Sequence, residues 1–340
     1  MTDFRSLALA GAVAAFAAPA AAVPLGDYSS LFVFGDSLSD PGNLFAQVGV
    51  PGFPYFDGRF SSGPVWAEYA TDDFAVSGNF AFGGAQAATD DDGIPDFAAQ
   101  IDLYEASPLG AVQGDNPLAA IWFGANDLFG AIPSGSLDEI GAAAAAAVAS
   151  ISSGIVDLAT NSGITSFVVF NLPDLGQTPL YSKVFPTASD GASNATDFFN
   201  FLLGGAIAGL DALPALDVQI FDVNALFDQL VANPDAFGVT NATHPCNYIS
   251  GDPFVAAAAA AVAAEVGDEV LCSGDEVMNR AFFDLVHPNG QVHVELARRF
   301  GAEVEMTPIP LPAGLPLLAL GLGSLFLAGR RPMRRRRVAV

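Results

Sequence analysis

Residues 31–43 of this 340-residue chain are Leu31-Phe32-Val33-Phe34-Gly35-Asp36-Ser37-Leu38-Ser39-Asp40-Pro41-Gly42-Asn43. Four consecutive apolar residues have the length of a buried β-strand, and the small and polar residues after Phe34 end it. A serine placed directly after a buried strand can act as a nucleophile when a base lies close to it. Taken alone, however, Ser37 would more simply be a helix cap.

Apolar runs of strand length recur along the chain and alternate with longer segments of helical character. The further runs cover residues 79–82, 118–123, 164–170 and 218–221. The clearest helix starts at Ser136, where Ser136-Leu137-Asp138-Glu139 has the form of a capping box, and it ends near Gly163. Further helices are predicted over 64–74, 95–106, 194–211, 253–266 and 289–300. This alternation predicts an α/β fold with a central parallel sheet of about five strands.

Two other strand-like runs also end in small or polar motifs. Phe82 is followed by Gly83-Gly84-Ala85, and Phe123 is followed by Gly124-Ala125-Asn126-Asp127. Ligands of open parallel sheets bind in the crevice outside the carboxyl ends of the strands. We therefore expect these motifs to meet Ser37 at one edge of the sheet.

A carboxylate and a histidine stand three residues apart in Asp284-Leu285-Val286-His287-Pro288. Pro288 disfavours helical dihedrals at His287 and suits the start of a following helix. Residues 284–287 are therefore predicted to form a loop that folds the carboxylate back onto the imidazole. An acid and a histidine in this arrangement are what a serine needs to become reactive.

These four blocks, together with Gly58-Arg59-Phe60-Ser61-Ser62-Gly63-Pro64-Val65-Trp66, resemble the GDSL family of lipases and esterases, the SGNH hydrolases. The resemblance covers roughly residues 29–300 and implies a three-layer, flavodoxin-like fold. It implies that Ser37 is the nucleophile, that His287 is the base and that Asp284 orients the imidazole. The oxyanion hole would comprise the backbone N–H groups of Ser37 and Gly84 and the side-chain amide of Asn126. No cofactor is expected. One departure, Asn289 in place of a common threonine, affects only the start of the last helix.

Several other polar residues have simpler interpretations than catalysis. Asp36 and Asp40 are expected to position the serine loop, and Arg59 to form a structural ion pair rather than to recognise substrate. His244 and His293 are not expected to be catalytic or to bind a metal.

An acidic stretch, Asp90-Asp91-Asp92-Gly93 with Asp96, has the oxygen density of a calcium loop. A solvated acidic turn is the simpler interpretation, and the sequence leaves both open.

Two cysteines, Cys246 and Cys272, lie in a predicted insert at 233–275 within one hydrolase domain at 23–302. In an exported protein we expect them to form a disulfide, which would contribute about 3.5 kcal/mol by chain-entropy arithmetic. Two unpaired buried thiols are the alternative.

Both termini are predicted to be targeting segments. Residues 1–22 have the charged, apolar and small-residue order of a signal peptide. Residues 303–340 combine a Pro-rich start, an uncharged stretch at 311–329 and six arginines. Within them, the stretch 307–317 before the Arg-rich end resembles the VPLPA variant of PEP-CTERM sorting signals of Gram-negative bacteria. We therefore expect export to the cell surface, the outer membrane or the medium, with a sorting peptidase as partner. A permanent single-pass anchor is the alternative.

The charge is strongly acidic, with a formal net charge of −25 at pH 7. This excess argues against nucleic acid or anionic lipid as a partner and leaves membrane contact to the C-terminal segment. The sequence therefore predicts an exported carboxylic ester hydrolase that acts on a small-molecule or lipid ester. An acyltransferase or polysaccharide deacylase with the same triad is one alternative. A surface or biofilm-matrix protein with a vestigial site is another.

Overall fold

The computed structural model describes residues 28–90, 92–249, 253–267 and 269–302. Its five strands are β1 (Ser30–Gly35), β2 (Ser77–Asn79), β3 (Pro117–Trp122), β4 (Ser166–Phe170) and β5 (Asp217–Phe221). All neighbours are parallel, and their order in the sheet is β2-β1-β3-β4-β5. This confirms the predicted α/β fold with a five-stranded parallel sheet. The predicted signal peptide and sorting tail lie outside the described residues.

The central strands are covered on both faces, which explains why their sequences are continuous apolar runs rather than alternating ones. Every residue of β1, β3 and β4 is buried. The α-helices of the described residues are α1 (Asn43–Val48), α2 (Trp66–Thr71), α3 (Phe97–Ala106), α4 (Ala125–Ala131), α5 (Leu137–Asp157), α6 (Ser189–Asp211), α7 (Val223–Ala232), α8 (Pro253–Val266), α9 (Glu276–Asn279) and α10 (Gly290–Ala302).

Aromatic side chains fill the space on the two faces of the sheet. On one face, the ring of Phe34 in β1 lies 5.9 Å from the ring of Phe97 in α3. On the other face, Trp66 of α2 lies 4.5 Å from Phe170 of β4, and Phe300 of α10 lies 5.7 Å from the same ring. The result is a three-layer arrangement of helices, sheet and helices.

The longest helical stretch, 137–162, could cross a membrane by length and apolar composition alone. In this structure, however, α5 packs against α6, α4 and α3, and its residues Ile140, Ile151 and Ile155 are buried. Its start has the predicted cap, because the Ser136 hydroxyl accepts a hydrogen bond from the Glu139 N–H at 3.3 Å.

The order of the strands reverses between β1 and β3. β1 leads on to β2 at one side of the sheet, whereas β3 leads on to β4 at the other. Gly35, the last residue of β1, pairs with Trp122, the last residue of β3, so the two strands end side by side. A sheet of this order has its ligand crevice at this switch point.

Candidate active site

A tight turn after β1 presents Ser37. Oδ1 of the Asp36 carboxyl group accepts a hydrogen bond from the Leu38 N–H at 3.0 Å, and this bond closes the turn. The hydroxyl oxygen of Ser37 lies 2.7 Å from Nε2 of His287, although 250 positions separate the two residues in sequence. The turn therefore places the serine within hydrogen-bonding distance of a base.

The loop that carries His287 folds back on itself as predicted. Nδ1 of His287 and Oδ2 of Asp284 lie 2.7 Å apart. The other carboxylate oxygen, Oδ1, accepts backbone N–H bonds from Val286 at 2.9 Å and from His287 at 2.7 Å. These bonds fix the carboxylate against the imidazole, and Ser37, His287 and Asp284 form one continuous hydrogen-bonded series.

The electrostatics of the pair favour an imidazole that can hold a proton. Burial alone would raise the pKa of Asp284, but the charge and hydrogen bond of His287 outweigh it and lower that pKa. Burial would lower the pKa of His287, but the Asp284 charge and hydrogen bond outweigh burial and raise it. Asp284 is therefore ionised, and its charge favours the protonated form of His287.

Asp40 links the loop that carries Ser37 to the loop that begins at Gly83. One carboxylate oxygen accepts the N–H groups of Gly42 at 2.7 Å and Asn43 at 2.5 Å, and the other accepts those of Leu44 at 3.2 Å and Gly83 at 2.8 Å. Asp40 thus positions the serine loop, as predicted, and it also holds the loop that begins at Gly83.

The predicted oxyanion residues lie beside the serine. Ser37, Gly84 and Asn126 line the same cleft. Asn126 is in the first turn of α4, directly after β3, and its side-chain amide donates to the Ala85 carbonyl at 2.9 Å. Gly84 has a φ of +85°, and a Cβ at this position would lie 2.8 Å from Cδ1 of Ile94. The structure therefore brings the three blocks together at the switch point of the sheet.

The cleft over these residues has a volume of about 1370 Å³ and is lined mainly by apolar side chains. Among its described lining residues, the carboxylates are Asp36, Asp174 and Asp228, and there is no lysine or arginine. A cleft of this composition suits a long apolar group better than an anionic one.

Asp36 is 1% exposed, and its Oδ2 has no hydrogen-bond partner among the described residues. Burial raises the pKa of Asp36 to about 7. Its Oδ1 closes the serine turn, as expected from the sequence.

The other singled-out basic and imidazole groups have local partners. Arg59 and Glu68 form an ion pair at 2.5 Å, which confirms the structural interpretation of this arginine. The ring of His293 is buried, and its Nδ1 accepts the backbone N–H of Trp66 at 3.2 Å. Burial lowers the pKa of His293 to about 3. His244 lies in the insert beside Thr243, with its Nδ1 3.1 Å from the Thr243 hydroxyl.

In the 86–96 loop, backbone N–H groups donate hydrogen bonds to the carboxylates that the structure describes. Asp96 accepts from Gln86 and Asp90, each at 2.8 Å, and Asp92 accepts from Ile94 at 2.7 Å. In the described part of the chain, which omits Asp91, no group of three or more side chains is placed to hold a metal ion. The contacts favour an acidic turn.

Cys246 and Cys272 form the predicted disulfide. The same segment pairs with the strand-like residues before Asp284, since the N–H of Cys246 donates to the Phe282 carbonyl at 3.0 Å and that of Asn247 to the Phe283 carbonyl at 2.6 Å. The insert therefore supports the loop that carries the acid and the histidine. The sequence did not indicate this contact.

Two aromatic residues near the triad were also not predicted. The Tyr55 hydroxyl donates to Oδ2 of Asp284 at 2.6 Å, and the ring of Phe60 lies 5.1 Å from the ring of His287. Phe60 belongs to the segment 58–66 that shares the family resemblance, but nothing in its pattern indicated contact with a residue 227 positions away.

A parallel sheet of this order, with a serine, a histidine and an aspartate joined by hydrogen bonds at its switch point, has the arrangement of a serine hydrolase. The family model for the GDSL-like lipases and acylhydrolases matches residues 31–300. The chain therefore belongs to the GDSL-like lipase/acylhydrolase family.

Three proteins illustrate what the chain is similar to. It is 28% identical over 318 residues to a phosphatidylcholine-sterol acyltransferase of Aeromonas hydrophila, an alignment that covers 82% of this chain and 90% of that protein. It is 26% identical over 282 residues to a thermolabile hemolysin of Vibrio parahaemolyticus, covering 80% of this chain and 62% of that protein. An acetylxylan esterase structure from Geobacillus stearothermophilus aligns with a TM-score of 0.44 and 14% identity, over 84% of this chain and 97% of that one.

Proposed function

We propose that this protein is a lipid acylhydrolase in which Ser37 carries the acyl group. One observation supports this most strongly: the hydrogen-bonded series of Ser37, His287 and Asp284 opens into a large, mainly apolar cleft. A cleft with such walls can hold an acyl chain while its ester carbonyl reaches the serine.

The first half of the reaction forms the acyl-serine. Oγ of Ser37 attacks the ester carbonyl carbon while Nε2 of His287 takes the hydroxyl proton. The carbonyl oxygen becomes negatively charged and is stabilised by the N–H groups of Ser37 and Gly84 and by the Asn126 amide. When the tetrahedral intermediate collapses, the bond to the alcohol breaks, and His287 returns its proton to the leaving oxygen.

The second half releases the acyl group. A water gives its proton to His287 and attacks the acyl carbon, and the collapse of this second intermediate returns the proton to Oγ of Ser37. The products are the free acid and a regenerated serine. Asp284 holds the imidazole in the required tautomer in both halves.

A second candidate is acyl transfer, in which an alcohol takes the place of that water. The similarity to a protein named as a phosphatidylcholine-sterol acyltransferase, which this chain matches over 90% of that protein's length, favours it. The chemistry at Ser37 is identical, so the two candidates differ only in which acceptor reaches the acyl-serine.

A series of p-nitrophenyl esters with acyl chains from two to sixteen carbons tests the acyl preference. We expect kcat/KM to rise with chain length beyond the acetyl ester, because each added methylene is buried in the cleft. The highest kcat/KM with the acetyl ester would contradict a lipid substrate. Adding a long-chain alcohol or a sterol to a phosphatidylcholine assay then separates the two candidates by whether free acid or new ester accumulates.

For the cellular context we propose export, with removal of the tail by a sorting peptidase. The proposal rests on the residue pattern of 1–22, on the Pro-rich segment and uncharged stretch of the tail, and on its six arginines. The disulfide between Cys246 and Cys272 supports an oxidising location.

A further inference from the structure

We propose that Tyr55 is a positioning residue of the reaction, which acts by holding and polarising the carboxylate of Asp284. The inference rests on the proposed role of Asp284 as the partner of His287. It gives a function to a residue outside the four sequence blocks.

The carboxylate of Asp284 receives four hydrogen bonds, and Tyr55 supplies one of them. Oδ1 accepts the backbone N–H groups of Val286 and His287. Oδ2 faces Nδ1 of His287 at 2.7 Å and also accepts the Tyr55 hydroxyl at 2.6 Å. The backbone donors fix one oxygen, and Tyr55 fixes the other at the side where the imidazole binds.

The phenol ring is held rigidly against the loop that it serves. Its ring centre lies 5.2 Å from that of Phe283, the neighbour of Asp284, and 5.9 Å from that of Phe60. Phe60 in turn packs on the imidazole of His287. The Tyr55 backbone N–H donates to the Gly52 carbonyl at 3.0 Å, which closes the turn before the ring.

Two serines that follow Tyr55 bind the far side of the same loop. The Ser61 hydroxyl donates to the Pro288 carbonyl at 3.2 Å, and the Ser62 hydroxyl accepts the Gly290 N–H at 3.0 Å. Residues 55–62 thus contact the loop of Asp284 and His287 on both sides, before Asp284 and after His287. A segment anchored at both sides holds the phenol at a fixed distance from Oδ2.

The phenol is a hydrogen-bond donor over the whole working pH range. Burial, followed by the charge of Asp284, raises the pKa of Tyr55 far above its ordinary value. Its hydrogen bond is one of the contributions that lower the pKa of Asp284. No proton is transferred: Tyr55 keeps its hydrogen and draws electron density from Oδ2.

Removal of the Tyr55 hydroxyl should raise the pKa of His287. Without the phenol donor, the carboxylate becomes a stronger acceptor for His287, and the imidazolium is stabilised. The pKa of His287 rises, so the base becomes neutral only at higher pH. The other groups that act on His287 or its surroundings, Asp36 after β1 and His293 on α10, stay unchanged.

The test compares Tyr55→Phe with Tyr104→Phe. Both variants lose a buried phenol hydroxyl, but the Tyr104 hydroxyl donates to Gln113, away from the triad. For Tyr55→Phe we expect kcat to fall about tenfold, as for a lost hydrogen bond to a charged group. KM should change little, because the Tyr55 phenol contacts Asp284 and does not line the cleft. In a plot of kcat/KM against pH, the acidic limb should move to higher pH. Tyr104→Phe should leave that limb in place.

Two outcomes would overturn the proposal: kcat within twofold of the parent, or a lower kcat with an unmoved acidic limb. If Tyr55→Phe does not fold, 3,5-difluorotyrosine at position 55 gives a second measurement. Its more acidic phenol should strengthen the bond and move the limb to lower pH, and an unmoved limb would again contradict the role. A Ser37→Ala variant assayed in the same experiment separates the proposed function from the proposed role of Tyr55. If Ser37→Ala retains activity, the proposed function is wrong, regardless of the result for Tyr55→Phe.

Discussion

Asp36 and Ser37 are neighbours in sequence, but the Ser37 side chain is accessible to substrate and the Asp36 side chain is buried. The serine reaches a base and a cleft, whereas the carboxyl of Asp36 lies 1% exposed with one oxygen lacking a partner among the described residues. Because burial raises its pKa to about 7, the folded state holds a proton on Asp36 that the unfolded chain releases near pH 4. The contribution of Asp36 to stability is therefore full below pH 4 and is lost as pH rises towards 7.

Asp36→Asn should remove this dependence while keeping the acceptor for the Leu38 N–H. We expect the free energy of unfolding of the variant, relative to the parent, to increase between pH 4 and 7 by up to about 4 kcal/mol. Urea unfolding of both proteins across that range measures it. A difference that is constant with pH would mean that Asp36 is ionised in the folded state.

Asn126→Ala tests the predicted oxyanion donor. Its amide donates to the Ala85 carbonyl in the free enzyme, which holds it beside Gly84. Because an oxyanion donor acts mainly in the transition state, we expect kcat to fall about a hundredfold or more with little change in KM. Asn126→Asp, which has the same shape but no donor, should be at least as impaired. A rise in KM alone would assign the residue to substrate binding instead.

At this scale the sequence predicted the residues that belong to motifs and left out those that do not. Ser37, Asp284 and His287 each stand in a recognisable local pattern, and the structure brings them into contact. Tyr55 stands in none, and it meets Asp284 across 229 positions. A phenol that contacts the site only through tertiary packing leaves no local pattern to detect.

Among the elements, the strands and long helices followed from their apolar periodicity, because parallel strands buried on both faces give unbroken apolar runs. The predicted strand at 79–82 is instead β2 at 77–79, and residues 80–82 continue as a loop that still bonds to β1 through the Phe80 and Phe82 N–H groups. The short helices α1, α4 and α7 were not predicted. They have six to ten residues, and α1 and α4 span fewer than two and a half turns each, so they offer little helical period to detect.

The turn at Gly84 allows a prediction with a matched control. Gly84 and Gly49 have φ values of +85° and +76°, so alanine at either position costs about 1 kcal/mol in backbone strain. Only at 84 does the added Cβ meet a neighbour, Cδ1 of Ile94 at the cleft. Gly84→Ala should therefore lose most of its kcat, and Gly49→Ala should lose stability alone. Equal activity in both variants would mean that the added methyl group leaves the Gly84 N–H in place, and would contradict the tight fit at this turn.

On the scale of the whole molecule, the acidic excess and the tail have to be considered together. Between residues 23 and 329 there are 36 acidic and five basic residues, while six arginines follow within the last eleven positions. A basic cluster after an uncharged stretch is retained on the cytoplasmic side of a membrane. If the tail is a sorting signal, cleavage near residues 310–314 separates it from the acidic domain.

Mass spectrometry of the C-terminal peptide from the native host decides this point. We expect protein recovered from the cell surface or medium to end near residue 310–314 and to lack residues 330–340. Recovery of the intact 330–340 segment on surface-associated protein would identify a permanent anchor and contradict processing by a sorting peptidase.

The proposed reaction cleaves the ester bond through an acyl-serine at Ser37. Its most direct measurement is peptide mass spectrometry after treatment with a fluorophosphonate, which reacts only with an activated serine. We expect one adduct, on Ser37, in the parent protein, with no adduct and no ester hydrolysis in Ser37→Ala. An adduct on a different serine, together with full activity in Ser37→Ala, would contradict it.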